Sequence, residues 1–186
     1  MVPRLMTLVD RLGQLLPMPR LDARRNIIRD AWNLLSRVPG GRTLFDRLVG
    51  RLAPYTGSIH ARVVELRDGY GEVAMTDRRA VRNHLDCVHA IALANLAELA
   101  GNLALFYSLP ADARFIVAGM EIEYVKKARG TITAVGEPPV PRTSVRASHD
   151  VPVTLRDAGG DVVARAILHT LVGPKPGATV DRRDVN

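Results

Sequence analysis

The longest apolar segment of the chain, residues 90–107, contains a single charged side chain, Glu98. Apolar residues cover nearly every face of the helix that this segment predicts, so the helix must be buried on most sides. Asn95, Glu98 and Asn102 are spaced three and four residues apart and therefore share one polar stripe. The segment predicts a core helix against which the rest of the chain folds.

Segments with the alternation of β-strands lie on both sides of this helix. Two strands, over residues 59–66 and 71–76, precede it around an Asp-Gly turn at 68–69. About four more follow it, rich in β-branched residues and separated by turns that contain glycine. This order predicts an α+β fold in which an antiparallel sheet wraps around a long central helix.

The first third of the chain is basic and has the sequence signals of helices. Residues 1–51 contain ten arginines against four aspartates, which gives +6 of the total net charge of +7. One helix is predicted over residues 23–38, with Asp22 as its cap, and a shorter one ends near Leu52. The cap predicted for the shorter helix is Thr43, with Asp46 three residues later. The apolar stripe of the first helix predicts that it packs against the core.

The composition of the chain also indicates which binding partners and which cellular compartment to expect. Arginines usually line the solvent-exposed faces of amphipathic helices. Because no aromatic residues are interleaved with them here, they do not indicate nucleic-acid binding. Contact with an anionic membrane is a less favoured alternative. The single cysteine, Cys87, excludes an intrachain disulfide, and charged residues interrupt the N-terminal apolar run as they would not in a secretory signal. A cytoplasmic protein is predicted.

Polar residues concentrate in the loop that leads into the core helix, where Asn83 and His89 lie. The free backbone N–H groups of the first helical turn, which begins at Ala90, can polarise a carbonyl oxygen together with the helix dipole. Glu98 faces either solvent or a cleft, and in a cleft desolvation would suit it to the role of a general base. Because this loop adjoins the helix, we expect the cleft. The histidines lack metal-ligand spacing, so no metal is predicted.

The spacing of these residues resembles the hotdog-fold thioesterases of the phenylacetyl-CoA thioesterase type, and most closely an uncharacterised branch of hotdog thioesterases. That family has an asparagine, a histidine six residues later, and an acidic residue nine residues after the histidine. Asn83, His89 and Glu98 stand at these intervals, and residues 122–134 are similar to the family's next strand. Where the family usually has two glycines after the histidine, this chain has Ala90 and the isoleucine that follows it.

The resemblance covers residues 58–173, which it implies are a hotdog domain. Residues 1–57 would then be a basic helical N-terminal arm and residues 174–186 a flexible tail. The family implies a homodimer or tetramer with active sites at the subunit seam, acting on acyl-CoA or on acyl carrier protein without a cofactor. In that mechanism the Ala90 N–H polarises the thioester carbonyl, and Glu98 activates water or attacks directly.

Substrate contacts are expected from two groups of residues. Lys126, Lys127 and Arg129 would meet the phosphates of coenzyme A, although a solvated strand edge is the simpler interpretation. Asn95 and Asn102, on the polar stripe of the helix, would contact the substrate near Glu98.

Two other functions remain open. His84 precedes Glu98 by fourteen residues, an interval similar to that of the histidine and glutamate in acyl-carrier dehydratases. This resemblance implies a hydroxyacyl-thioester dehydratase or hydratase. The absence of the two glycines instead suits a non-catalytic acyl- or lipid-binding protein whose basic arm docks to a membrane or a carrier.

Overall fold

Three helices precede the sheet in the computed structural model, which describes residues 25–177. They are α1 (Ile27–Leu35), α2 (Gly41–Leu52) and α3 (Pro54–Gly57). The cap predicted at Asp22 lies outside the described residues. The side chain of Asn26 caps α1 by accepting the Arg29 N–H at 3.0 Å.

The predicted cap of α2 is wrong. Gly40 precedes this helix in the left-handed conformation, with a φ of 73°, and no side chain caps the helix. Glycine adopts such a backbone without steric cost, so it replaces a side-chain cap after the Pro-Gly turn. Asp46 instead accepts a hydrogen bond from the Val63 N–H on the first strand, at 2.9 Å.

Six strands in the described part of the chain form one antiparallel sheet, as the alternation predicts. They are β1 (Arg62–Arg67), β2 (Tyr70–Met75), β3 (Ala113–Tyr124), β4 (Ile132–Gly136), β5 (Ala147–Arg156) and β6 (Val162–Pro174). Their spatial order is β1-β2-β4-β5-β6-β3, so β1 and β3 are the edges. The turn between β1 and β2 contains Gly69 with a φ of 71°.

The central helix α4 spans Ala90–Ser108 and packs against the six strands of this sheet. Two strand glycines allow the close approach, since a Cβ at Gly71 would lie 2.8 Å from the Cβ of Ala104. A Cβ at Gly136 would lie 2.9 Å from the Cα of Gly101. By length and composition α4 is the one described helix that could cross a membrane, but 61% of its apolar window is buried inside the fold. It is the predicted core helix.

Helix α1 packs on the C-terminal end of α4. The side-chain amide of Asn26 donates to the Phe106 and Leu109 carbonyl oxygens at 2.7 and 3.0 Å, and the Arg29 guanidinium donates to the Tyr107 carbonyl at 2.7 Å. These donors satisfy carbonyl groups that a helix end leaves without partners. A cation at this end also complements the helix dipole.

The helical segment packs on the core as predicted, although Leu34 of its apolar stripe is 69% exposed. Trp32 of α1 is 5% exposed and packs edge to face on Phe45 of α2, with 5.2 Å between ring centroids. Val49 of α2 belongs to the same buried cluster as the core of the sheet. The described part of the segment therefore packs on the sheet and α4, while residues 1–24 lie outside the described residues.

Candidate active site

The loop before α4 is held by ionic and backbone contacts on both of its sides. Asp77 accepts a hydrogen bond from the Arg82 guanidinium at 2.7 Å and another from the Gly130 N–H at 3.0 Å. The hydrogen bond from Arg82 is the main reason that the pKa of the Asp77 carboxyl lies below its ordinary value. The Val88 N–H also donates to the Ala128 carbonyl at 2.9 Å. These contacts tie the loop to the β3–β4 connection.

Asn83 lies inside this loop and forms a local turn. Its Oδ1 accepts the Leu85 N–H at 2.9 Å and lies 3.4 Å from both the N–H and the thiol of Cys87. Such hydrogen bonds within a loop are typical of an asparagine turn. These hydrogen bonds hold the loop in its turn.

His89 is the N-cap of α4. It has an extended backbone, with a φ of −66° and a ψ of 139°, and its Nδ1 accepts the Ile91 N–H at 3.0 Å. Its own N–H donates to the Val81 carbonyl at 2.8 Å. Because Nδ1 is an acceptor here, the neutral ring carries its proton on Nε2. His89 therefore fixes where the helix begins.

Ala90 is the first residue of α4, and its N–H has no acceptor among residues 25–177. Its carbonyl oxygen accepts a hydrogen bond from the Tyr124 hydroxyl at 3.1 Å. This hydroxyl, at the end of β3, links the edge strand to the helix start. An unpartnered N–H at the positive end of a long helix can stabilise a negatively charged oxygen.

Glu98 lies two turns further along α4. It is partly buried, and it forms no hydrogen bond or ion pair with any residue in the described range. Eight residues separate it from Ala90, which corresponds to a rise of about 12 Å along the helix axis. A glutamate side chain does not span that distance. Within one chain, the structure therefore does not bring the proposed base to the proposed oxyanion donor.

The other polar residues of the stripe are covered to different extents. Asn95 is 5% exposed and donates from Nδ2 to the Tyr55 carbonyl of α3 at 3.3 Å. Its Oδ1, like that of Asn102, is buried without a hydrogen-bond partner among the described residues. The stripe is thus partly covered by α3, and α3 is an element that the sequence did not predict.

The three basic residues after β3 differ in their surroundings. Lys126 forms ion pairs with Asp157 and Asp161 of the β5–β6 turn at 2.8 and 2.6 Å. Its hydrogen bond to Asp157 is the main reason that the pKa of its ammonium group is raised. Lys127 and Arg129 are exposed and form no ion pair within the described residues. Of the two, Arg129 lies near enough to Asp77 for its charge to help lower the pKa of that carboxyl.

A cavity of about 230 Å³ lies beside the N-terminal half of α4. His89, Ile91 and Asn95 line it from the helix side, and Tyr55 and Ser58 line it from the α3 side. Sequence reasoning missed Tyr55, Ser58 and Tyr124, because neither periodicity nor spacing shows which loop or strand end meets the helix. Within the described residues, no group of three His, Cys, Asp or Glu side chains could hold a metal ion.

This arrangement has solved counterparts. The structural-genomics protein APC5556 is 36% identical with a TM-score of 0.70, covering 80% of this chain and 99% of that one. PA5026 from Pseudomonas aeruginosa, a probable thioesterase, is 23% identical with a TM-score of 0.64, and the match covers 74% of this chain and 97% of that one. The protein smu.793 from Streptococcus mutans, bound to acetyl CoA, is 19% identical with a TM-score of 0.52, and the match covers 61% of this chain and 88% of that one.

The sheet wrapped around a central helix, shared with these structures, is the hotdog fold, as the resemblance predicts. Residues 41–172 match the family described as a domain of unknown function, DUF4442. The chain belongs to the DUF4442 family. A comparison with curated proteins gives no match.

Proposed function

We propose that the protein is an acyl-CoA thioesterase in which the Ala90 N–H holds the thioester oxygen and Glu98 is the general base. The observation that carries the proposal is the unpartnered Ala90 N–H at the start of a buried helix. His89 supports this role, because its cap uses the Ile91 N–H and leaves the Ala90 N–H for a ligand. The fold shared with PA5026 and with acetyl CoA-bound smu.793 agrees with this chemistry.

The hydrolysis uses one water and no other reactant. Glu98 takes a proton from the water while the water oxygen bonds to the thioester carbon. The electrons of the carbonyl double bond move onto the carbonyl oxygen, which the Ala90 N–H holds. Collapse of this intermediate breaks the carbon–sulfur bond. The coenzyme A thiolate leaves with the proton from Glu98, and the carboxylic acid is released. His89 and Asn83 position the loop and the helix start.

The axial distance of about 12 Å between Ala90 and Glu98 requires two chains in each site. In the proposed homodimer, Glu98 of one chain serves the thioester held by Ala90 of the other. The edge strand β3 offers the seam, since its outer side is unpaired within the described residues and Ile116 and Met120 are exposed there. A tetramer would be built from two such dimers.

Substrate binding would continue outward from the helix start. Lys127 and Arg129 lie after β3, in the connection that contacts the loop before α4. As exposed cations without ion pairs in the described residues, they are proposed to bind the phosphates of coenzyme A. Lys126 would contribute less, because two aspartates already neutralise it.

Replacing Ala90 with proline tests the oxyanion donor selectively. Proline is tolerated at the first position of a helix, and the extended backbone of His89 suits the residue before a proline. Ala90→Pro should therefore fold normally while it lacks the N–H, and kcat should fall by about a hundredfold or more. Glu98→Gln should lower kcat to a similar extent by removing the base. Release of free thiol from acyl-CoAs measures both.

Mixing the two variants tests whether the site is shared. A heterodimer of Ala90→Pro and Glu98→Gln chains contains one site with both groups intact, so an equal mixture should recover roughly a quarter of wild-type activity. No recovery in a verified heterodimer would contradict the shared site. Full activity in either folded variant alone would contradict the mechanism. Formation of an enoyl thioester without thiol release would instead indicate the dehydratase.

A further inference from the structure

A groove of about 740 Å³ lies on the outer face of the sheet, away from the candidate active site. It is lined by the start of β3, the end of β6 and the segment where β5 begins. Its volume is within the range of about 300–1,000 Å³ that is usual for small-molecule sites. The residues proposed for thioester hydrolysis do not line it, so the groove needs an explanation of its own.

Gly173 of β6 leaves a notch in this groove that the fold does not require. Its φ is not positive, and it pairs with Arg114 in the regular register of β3 and β6. A Cβ at Gly173 would meet no atom closer than the Cγ of Arg146, at 3.4 Å, which is an ordinary contact. A glycine inside a strand weakens it and often marks a place where a ligand approaches the backbone closely. The notch is therefore open to a ligand.

Two arginines flank the notch. Arg114 is the cross-strand partner of Gly173 on one side, and the stem of Arg146 runs beside Gly173 on the other. Both side chains are exposed, and neither guanidinium has a hydrogen bond or an ion pair within residues 25–177. Strands lie about 4.8 Å apart, so the two side chains start about 10 Å apart and can reach one anion between them. Such a pair suits a carboxylate, which arginine binds through two parallel N–H groups.

Aliphatic side chains continue the groove beyond the arginines. Leu171 of β6 and Ile116 of β3 are cross-strand partners, and they lie two residues along their strands from Gly173 and Arg114. They are 49% and 65% exposed. A cationic notch followed by an aliphatic surface suits a molecule that has an anionic head and an aliphatic chain.

We infer that this groove binds an aliphatic carboxylate, with the carboxylate between Arg114 and Arg146 and the chain along Leu171 and Ile116. The inference does not depend on the proposed function, because the groove and the candidate active site have no residue in common. If the protein hydrolyses acyl-CoAs as proposed, the ligand of the groove belongs to the same class as the acid that is released.

Titration calorimetry of the full chain with octanoate tests the inference. Acetate has the charge without the chain, and octanol has the chain without the charge. Octanoate should bind at least about tenfold more tightly than either, because it alone uses both parts of the groove. Inorganic phosphate should also bind at least about tenfold more weakly, since it offers nothing to the aliphatic surface.

Arg114→Gln and Arg146→Gln should each weaken octanoate binding by about tenfold or more, because each removes a charged donor. Gly173→Val should abolish binding by filling the notch, and valine suits a strand. Arg165→Gln is the matched control, since Arg165 is an exposed arginine of the same strand that does not line the groove. It should bind octanoate as the wild type does.

Unchanged octanoate binding in both arginine variants would overturn the inference, whether or not Gly173→Val folds. So would equal binding of octanoate and inorganic phosphate, or the absence of octanoate binding to the wild-type protein. Octanoate binding that is lost in Ala90→Pro but kept in both arginine variants would place the acid in the active site instead. That result would also overturn the inference.

Discussion

At the scale of single residues, one carboxylate organises the loop that precedes α4. Asp77 is 7% exposed at its side chain and receives hydrogen bonds from Arg82 and from the Gly130 N–H. Arg82 also pairs with Asp86 at 2.8 Å, but the Asp86 side chain is 82% exposed. Exposed ion pairs contribute little to stability, whereas buried charge-assisted hydrogen bonds contribute more. The two aspartates of this cluster should therefore behave differently.

Asp77→Asn should lower the melting temperature by a few degrees at pH 7, while the matched control Asp86→Asn should change it little. The pKa of Asp77 is lowered in the folded protein, chiefly by the Arg82 hydrogen bond, so its contribution is complete above the ordinary aspartate pKa of about 4. That contribution is lost as the pH falls through the lower folded value. Thermal unfolding at pH 7 and near pH 3 should show the difference between wild type and Asp77→Asn shrinking in acid. A difference that grew in acid would contradict this assignment.

The sequence predicted which residues gather at the start of α4 but not how they are partnered. Asn83 lies in the loop and His89 at the N-cap of α4. Both positions follow from the sequence, because the residues just before a helix in the chain are also next to its start in space. The contact of Asn95 with the Tyr55 carbonyl joins residues 40 positions apart, and no local pattern encodes it. The catalytic roles of Glu98, Ala90 and the basic residues stay predictions.

At the scale of elements, α2 protects one edge of the sheet. The Asp46 carboxylate of α2 accepts the N–H of Val63 at 2.9 Å, next to a register shift in β1. An unpaired strand edge is open to pairing with other chains, and a helix that covers it closes that route. The contact joins the helical segment to β1.

Asp46→Asn should leave stability unchanged or higher at pH 7, while Asp46→Ala should lower the free energy of unfolding by about 1–3 kcal/mol. Burial raises the pKa of Asp46, so the folded state holds this proton more tightly than the unfolded state. The stability from this group therefore falls as the pH rises from about 4 through the raised value. Asparagine removes the desolvated charge and still accepts the Val63 N–H; alanine leaves that N–H without a partner. Urea unfolding at several pH values measures the free energy of unfolding of both variants. An equal loss of stability in the two variants would show that the charge of Asp46 itself stabilises the fold.

The strands were predictable where their alternation is regular and were less so where it breaks. The strand β3 starts at Ala113, and a register shift between Val117 and Gly119 interrupts its alternation. A bulge places two residues opposite one, so residues before it change face. The cap of α2 was mispredicted for a similar reason, since a left-handed glycine leaves no side-chain signal.

At the scale of the whole molecule, the proposed mechanism makes activity depend on dimer formation. Ile116→Arg places a charge on the exposed edge strand, where the wild-type side chain is 65% exposed. It should shift the protein toward monomer and lower thiol release in parallel, because burying an unpaired charge in the seam is costly. Ile167→Arg is the matched control, since Ile167 is exposed on the inner strand β6 and not at the edge.

Analytical ultracentrifugation, with activity measured over a range of protein concentrations, checks this dependence. Wild-type specific activity should fall on dilution through the dissociation range of the dimer. A monomeric Ile116→Arg protein with full specific activity would contradict the shared site. The hotdog fold was predictable from the order of elements, whereas the seam was not, because periodicity along one chain does not show which edge meets a second copy. The division at residues 57 and 173 stays a prediction.

The capping of α4 by α1 has a consequence for synthesis on the ribosome. Asn26 and Arg29 are made about 80 residues before the Phe106, Tyr107 and Leu109 carbonyls that they bind. At 5–20 residues per second, the nascent chain waits roughly 4 to 16 s for these partners to appear. Throughout that interval the apolar face of α1, with Trp32, has no central helix to pack against. The growing chain can therefore cover this face only in part, through the contact of Trp32 with Phe45 of α2, until α4 has been made.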